Sequence, residues 1–265
     1  MLREEEDKSA IAYLIFLLHV KFEKGPLMIL QVRGLNRCFG QLAAIKDLSF
    51  EVEGGEIFGI AGPNGAGKTT LFNVISGTLR GSGEIIFDGV NINGLRADQI
   101  CHKGVARTFQ VPQLFSSMSM FENVRVGAHF GVVGGRNERK NISEVINFVG
   151  LEGKEKAACA TLNTLDQKAT MLAAALATKP KLLLLDEPMA GLSPFAIRQF
   201  LTLFQRINNE LGITLIIIEH RMRVLTELCH RLMVLHNGQK ISIGPPKEVV
   251  GDKRVMEVYL GVSHA

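Results

Sequence analysis

The stretch GPNGAGKTT, residues 62–70, carries the clearest chemistry in the chain. It matches G-x-x-x-x-G-K-[ST], with Gly62, Gly67, Lys68 and Thr69 in the required places. Such a loop holds phosphates. Its glycines let backbone N–H groups converge on phosphate oxygens, and the helix that follows adds the positive end of its dipole. Lys68 then bridges the β and γ phosphates, and the Thr69 hydroxyl binds Mg²⁺. Pro63, Asn64, Gly65, Ala66 and Thr70 complete the cradle.

Three further places could serve the same nucleotide. In KLLLLDEP, Asp186 ends an apolar strand, the position from which a carboxylate holds Mg²⁺ through water. Glu187 follows, projects elsewhere and suits a general base that polarises the attacking water. His220 ends TLIIIEH in the same way, and Gln110, in VARTFQVPQLF, can ligate Mg²⁺ or the attacking water. Alone, these would read as solvated caps, a core histidine and a loop amide. The phosphate loop in the same chain gives them a task.

The elements that must position these groups alternate between helix and strand. The phosphate loop follows the strand EIFGIA and precedes the helical pattern LFNVISG. KLLLL and TLIII are short continuous apolar runs, as strands buried on both faces of a parallel sheet require. PFAIRQFLTLFQRINNEL reads as a helix between them. ILQVRGL and LSFEVEGGEIFGI alternate apolar and polar residues, with a turn at Gly54-Gly55. GEIIFDGVNI adds a DG turn, and Asn237-Gly238 makes a closing hairpin in RLMVLHNGQKISIG. Early strands with tight turns suggest an antiparallel β piece. From about Leu95 to Ala160 the pattern changes to helices, including NISEVINFVGL, and loops, with glycine-rich GVVGGRN as an exposed loop. The fold class is α/β: a P-loop NTPase core with a mostly parallel sheet, an antiparallel β edge and an inserted helical subdomain at about 95–175.

Composition narrows the classes further. The chain has 265 residues, 46% apolar and 21% charged, with net charge +4, as expected of a globular domain. No long basic tract or interleaved aromatic series points to nucleic acid. Cys38, Cys101, Cys159 and Cys229 are scattered without metal spacing and read as reduced structural thiols. At the N-terminus, acidic MLREEEDKS precedes nine apolar residues, too few for a spanning helix and wrongly flanked for a signal peptide. Residues 1–27 read as an extension outside the functional unit, which occupies 28–265.

Taken together, RCFG, GPNGAGKTT, RTFQ, LLLLDEP, AGLSP and IIIEH resemble, in order and spacing, the ATP-binding subunit of ABC transporters. GVARTFQVPQLFSSMSMFENVRVGAH, LATKPKLLLLDEPMAGLSP and VMEVYLG are similar to ATPases of branched-chain amino acid importers; importers of urea and amides look alike. The resemblance runs from about Met28 to Gly261. It implies ATP and Mg²⁺ as cofactors, with Phe39 stacking on adenine. Gln110 falls in the loop that touches Mg²⁺ and communicates with membrane permease subunits, onto whose coupling helices the helical insert docks. Leu192 and Ser193 fall in a loop that crosses the dimer interface, and His220 contacts the γ-phosphate. Such subunits sit peripherally on the cytoplasmic side of the membrane, and a periplasmic or extracellular solute-binding protein is an indirect partner.

One motif departs from the family. Its L-S-x-G-Q signature, which holds the ATP of the opposite subunit, falls on Leu162, Asn163, Thr164, Leu165 and Asp166, without the serine or the glycine. A leucine side chain at Leu165 is expected to crowd the phosphate, and Asp166 to place negative charge beside it. ATMLAAALA follows where the family usually carries arginine and glutamate. A helix still starts here, capped by Asn163 or Thr164, with Thr164 and Gln167 fitting a capping box and Leu165, Leu172 and Leu176 facing the core. The expected outcome is an intact fold with a disabled clamp, hence a heterodimer with a second ATP-binding subunit. The rival reading is a regulatory subunit that binds ATP with little hydrolysis. A soluble ABC ATPase of DNA repair or translation lacks support, having here neither a tandem cassette nor a coiled-coil insertion.

Overall fold

The computed structural model describes residues 27–131 and 138–260. Residues 1–26 of the N-terminal extension, and the glycine-rich loop apart from Gly131, lie outside them.

Strands β1 (Met28–Phe39) and β2 (Leu42–Glu53) pair antiparallel. The Gly54-Gly55 turn does not continue that pairing. Instead β3 (Ile57–Ala61) opens a second sheet and leads through the phosphate loop into helix α1 (Lys68–Ile75). The run EIFGI, expected to continue the antiparallel piece, therefore leaves it after β2. The physical reason is the run IFGIA, buried at every position, which suits the centre of a sheet covered on both faces. β4 (Ser82–Phe87) and β5 (Val90–Asn91) return to the first sheet, whose order is β2-β1-β4-β5.

The chain continues through α2 (Ala97–His102), β6 (Val105–Thr108), α3 (Met120–Phe130), α4 (Glu138–Phe148) and α5 (Thr164–Ala177). Then come β7 (Leu182–Asp186), α6 (Pro194–Leu211), β8 (Thr214–Ile218), α7 (Met222–Leu228) and the hairpin β9 (Arg231–His236)–β10 (Gln239–Gly244). Helices α8 (Pro246–Gly251) and α9 (Lys253–Leu260) close it. The second sheet has the order β10-β9-β3-β8-β7-β6, parallel except for β10.

Both faces of this sheet are covered, which is why its strands read as unbroken apolar runs. Phe58, Ile60, Leu182, Leu184, Ile216 and Ile218 pack with α1 and the antiparallel sheet. Their neighbours Ile57, Leu183, Leu185, Leu215 and Ile217 pack on the opposite side with α3, α5, α6 and α7. The amphipathic α6 is capped by Ser193, whose hydroxyl accepts from the Ala196 amide, and stops at Gly212 in the left-handed region. Leu192, expected in an interface loop, is buried. Helices α3 and α5 approach so closely that a Cβ on Gly127 would strike the Ala174 carbonyl. The alanine run in α5 permits this contact.

Candidate nucleotide site

Strand order places the chemistry. β3, β8, β7 and β6 are adjacent and parallel, so their C-terminal ends lie side by side. The phosphate loop, His220, the Asp186-Glu187 pair and Gln110 each follow one of these ends. Ligands of open α/β sheets bind at such an edge. Here a cleft of about 830 Å³ is lined by Phe39, Leu42, Asn64–Thr70, Gln110, Glu187 and His220 among others.

The phosphate loop is a tight cradle. Gly62 (φ 148°) and Gly67 (φ 103°) lie where L side chains are rare, and a Cβ would strike the Leu235 carbonyl at the first and the Ala44 carbonyl at the second. The loop is also stitched to the β9–β10 turn, since the Gly238 amide donates to the Ala66 carbonyl at 3.0 Å. Lys68 is buried, and its Nζ donates to the Gly62 and Pro63 carbonyls at 2.7 and 3.0 Å. Burial pushes this ammonium below the ordinary lysine range, while Glu187 and Asp186 act in the opposite direction. A cation held at the base of a cleft with amide donors around it suits a polyphosphate.

Asp186 and Glu187 diverge because Glu187 takes a left-handed backbone, φ 44°. Asp186 points inward and is 3% exposed, with Oδ2 accepting from Arg107 Nη2 at 2.9 Å. Burial raises its carboxyl above the usual range, and the Arg107 hydrogen bond opposes the rise. Glu187 turns to the cleft, where Oε1 accepts from His220 Nε2 at 2.6 Å and Oε2 from Gln110 Nε2 at 2.8 Å. The carboxylate that suits a general base is thus held from two sides. Phe39 presents a 45% exposed ring at the cleft wall, with the Arg37 guanidinium 4.7 Å from its centre.

Sequence reasoning gave no role to Arg107, Lys168 or Glu219. Arg107 also donates to Asn73 Oδ1 at 2.6 Å and Ser76 Oγ at 3.2 Å, bracing α1 against Asp186. A charged residue in a short buried strand was the signal, since such a group must be paired. Glu219 is buried beside His220 and accepts from the Met189 amide at 3.0 Å; burial raises its carboxyl.

The residues of the altered signature do not line this cleft, and two expectations about them change. Asp166 turns into the protein, where its Oδ2 accepts from Lys154 Nζ at 2.7 Å and Asn163 Nδ2 at 3.0 Å. Its charge is therefore compensated internally. Leu165 is half-buried against the apolar core, as is Leu162, so the leucine does not project freely outward. The cap is Asn163, whose Oδ1 accepts from the Asp166 amide at 2.9 Å. The Thr164–Gln167 box does not form, because Gln167 Nε2 donates to the Leu162 and Cys159 carbonyls.

A family model described as ABC transporter matches residues 45–190, and one described as branched-chain amino acid ATP-binding cassette transporter matches residues 239–265. BraF, a high-affinity branched-chain amino acid transport ATP-binding protein of Pseudomonas aeruginosa, is 32% identical over 249 residues, 88% of this chain and 98% of that protein. LivG of Escherichia coli strain K12 is also 32% identical over 249 residues, with the same coverage. A solved ATP-binding cassette of an ABC transporter in its ADP conformation superposes with a TM-score of 0.82 at 29% identity, covering 89% of this chain and 100% of that one. The likeness extends over the strands that build the cleft and over the C-terminal end, so the chain belongs to the ABC transporter family, as an ATP-binding cassette.

Proposed function

We propose that this chain is the ATP-binding subunit of an importer for branched-chain amino acids, coupling ATP binding and hydrolysis to solute transport. The observation that carries the hydrolytic part is the Glu187 carboxylate, held between His220 and Gln110 at the mouth of the phosphate loop. The substrate class rests on the relatives BraF and LivG and on the C-terminal match.

Phe39 stacks on adenine, Gly62–Thr70 cradle the phosphates, and Lys68 leaves the Gly62 and Pro63 carbonyls to meet the β and γ oxygens. Thr69, Gln110 and Asp186 would hold Mg²⁺, which neutralises charge developing on the phosphates when bound. Glu187 orients and deprotonates the attacking water, and His220 steadies that carboxylate and reaches the γ-phosphate. Among the described residues no helix is long and apolar enough to cross a membrane. In this reading, which rests on the transport relatives, the chain works from the cytoplasmic face through permease subunits, with a solute-binding protein acting beyond them. The helical subdomain, at about 95–175, would receive the permease at an apolar groove of about 310 Å³ lined by Leu114, Phe115, Gly127, Met171 and Ala174.

The pairing we favour is with a second, different ATP-binding subunit. Asn163 stands at the serine position of the signature, and both ends of its amide are engaged with Asp166. The side chain is thereby bound to its own helix, where a serine hydroxyl would stand in the family. A partner with an intact signature completes the site built on this chain's own phosphate loop. ATP turnover of the purified chain alone, compared with turnover alongside a candidate partner and permeases, tests this. Brisk hydrolysis by the lone chain overturns the heterodimer; association with no membrane subunit overturns the transport role.

A further inference from the structure

Lys168 lies on α5, which contributes no residue to the lining of the nucleotide cleft, yet its ammonium reaches the loop that carries Gln110. The residue is 3% exposed, and Nζ donates to the Gln110 carbonyl at 3.1 Å. Gln110 in turn donates through its side chain to Glu187. Three residues further along α5, Met171 supplies a second tether to the same loop: the Phe109 amide donates to its Sδ at 3.4 Å.

A buried ammonium is unfavourable unless acceptors and opposite charge surround it. Burial pushes Lys168 below the ordinary lysine range, while Glu219 and Glu187 draw it back. The small cavity it borders is otherwise lined by Thr108, Pro188 and the apolar Met171, Leu172, Leu185, Phe200 and Phe204, mostly surfaces that would accept a hydrocarbon side chain. A cation placed where methionine would fit, with its hydrogen bond on the glutamine loop, acts on that loop.

We propose that Lys168 is a positioning residue for ATP hydrolysis: it fixes the Gln110 backbone so that the Gln110 amide holds Glu187 in place. The inference rests on Glu187 as the general base. In the chain assembled with its partner subunits, Lys168→Met lowers kcat about tenfold with KM for ATP within about twofold, and Lys168→Arg recovers most of the loss. In a Gln110→Ala background, Lys168→Met adds no further loss, because no amide is left to position. Wild-type turnover by Lys168→Met, or a full second loss in the Gln110→Ala background, overturns the proposal. Hydrogen exchange of the isolated chain reads the tether without turnover: Lys168→Met speeds exchange of the Phe109, Gln110 and Val111 amides roughly several-fold at an unchanged melting temperature. Unchanged exchange there overturns the tether, whereas a failure of Glu187→Gln to slow hydrolysis strikes at the general base instead.

Discussion

Replacing Arg107 by methionine tests the most buried charge pair of the site. The two side chains are 7% and 5% exposed, so solvent screens their interaction little. Arg107→Met preserves most of the volume but leaves the Asp186 carboxylate without its donor at 2.9 Å, and frees Asn73 and Ser76 as well. Removing one partner of a buried pair typically destabilises by ~3–5 kcal/mol. For a chain of this size that corresponds to a fall in melting temperature of about 10 °C. The pH dependence has a definite sign. Burial already raises the Asp186 carboxyl in the folded state, and loss of Arg107 raises it further. Its contribution is therefore present in acid, below the unfolded value of 3.8, and is lost as pH rises through the folded value. The deficit of Arg107→Met should be larger at pH 8 than at pH 5, measured by thermal or urea melts. A melting temperature equal to wild type at pH 8, or a deficit that grows on acidification, would refute the reasoning.

Gly67→Ala places a methyl against the Ala44 carbonyl at a backbone angle that alanine resists, so it should destabilise by about 1–3 kcal/mol and weaken ATP binding, read by melting and by nucleotide titration. Glu187→Gln should slow hydrolysis by roughly 10²–10⁴ while retaining ATP binding, as expected for a general base; undiminished turnover would favour a regulatory subunit. Lys154→Met uncouples Asp166, but the lysine is 43% exposed, so the stability loss should stay near ~1 kcal/mol; a loss of several kcal/mol would mean that Asp166 has no other support. Asn163→Ala should cost about 1 kcal/mol through the lost helix cap, measured in the same melts.

Local signals in the sequence were sufficient where one segment decides its own structure. The run LLLLD must be a strand covered on both sides, PFAIRQFLTLFQRINNEL is flanked by the Ser193 cap and the Gly212 stop, and Asn237-Gly238 closes a hairpin. What the sequence did not disclose depends on which strands become neighbours. Arg107 and Asp186 are 79 residues apart and meet because β6 lies beside β7. Nothing in RTFQ alone tells that the arginine faces the carboxylate on the next strand. The turn at Gly54-Gly55 was visible, but not that the chain changes sheets there. That outcome follows from the burial of IFGIA, which only the packing of two layers imposes.

The altered signature shows how one residue of helix phase changes a functional argument. Starting α5 one residue later, with Thr164 as the cap, would leave Asn163 outside the helix and free its amide. With Asn163 as the cap, its side chain closes on the Asp166 amide, and Asp166 comes round to meet Lys154. Leu162 and Leu165 then pack on the core from either side of the cap. The fold thus gives Asp166 an internal counter-charge and tucks Leu165 half against the core, which weakens the case for repulsion and obstruction by these side chains. What remains different from the family is chemical: an amide committed to its own helix stands where a hydroxyl would reach outward. Any impairment of the opposite subunit's site should therefore respond to residue 163 more than to residues 165 and 166. Asn163→Ser alone should raise the lone chain's ATP turnover, and Leu165→Gly alone should not; the reverse ranking would return the argument to steric crowding.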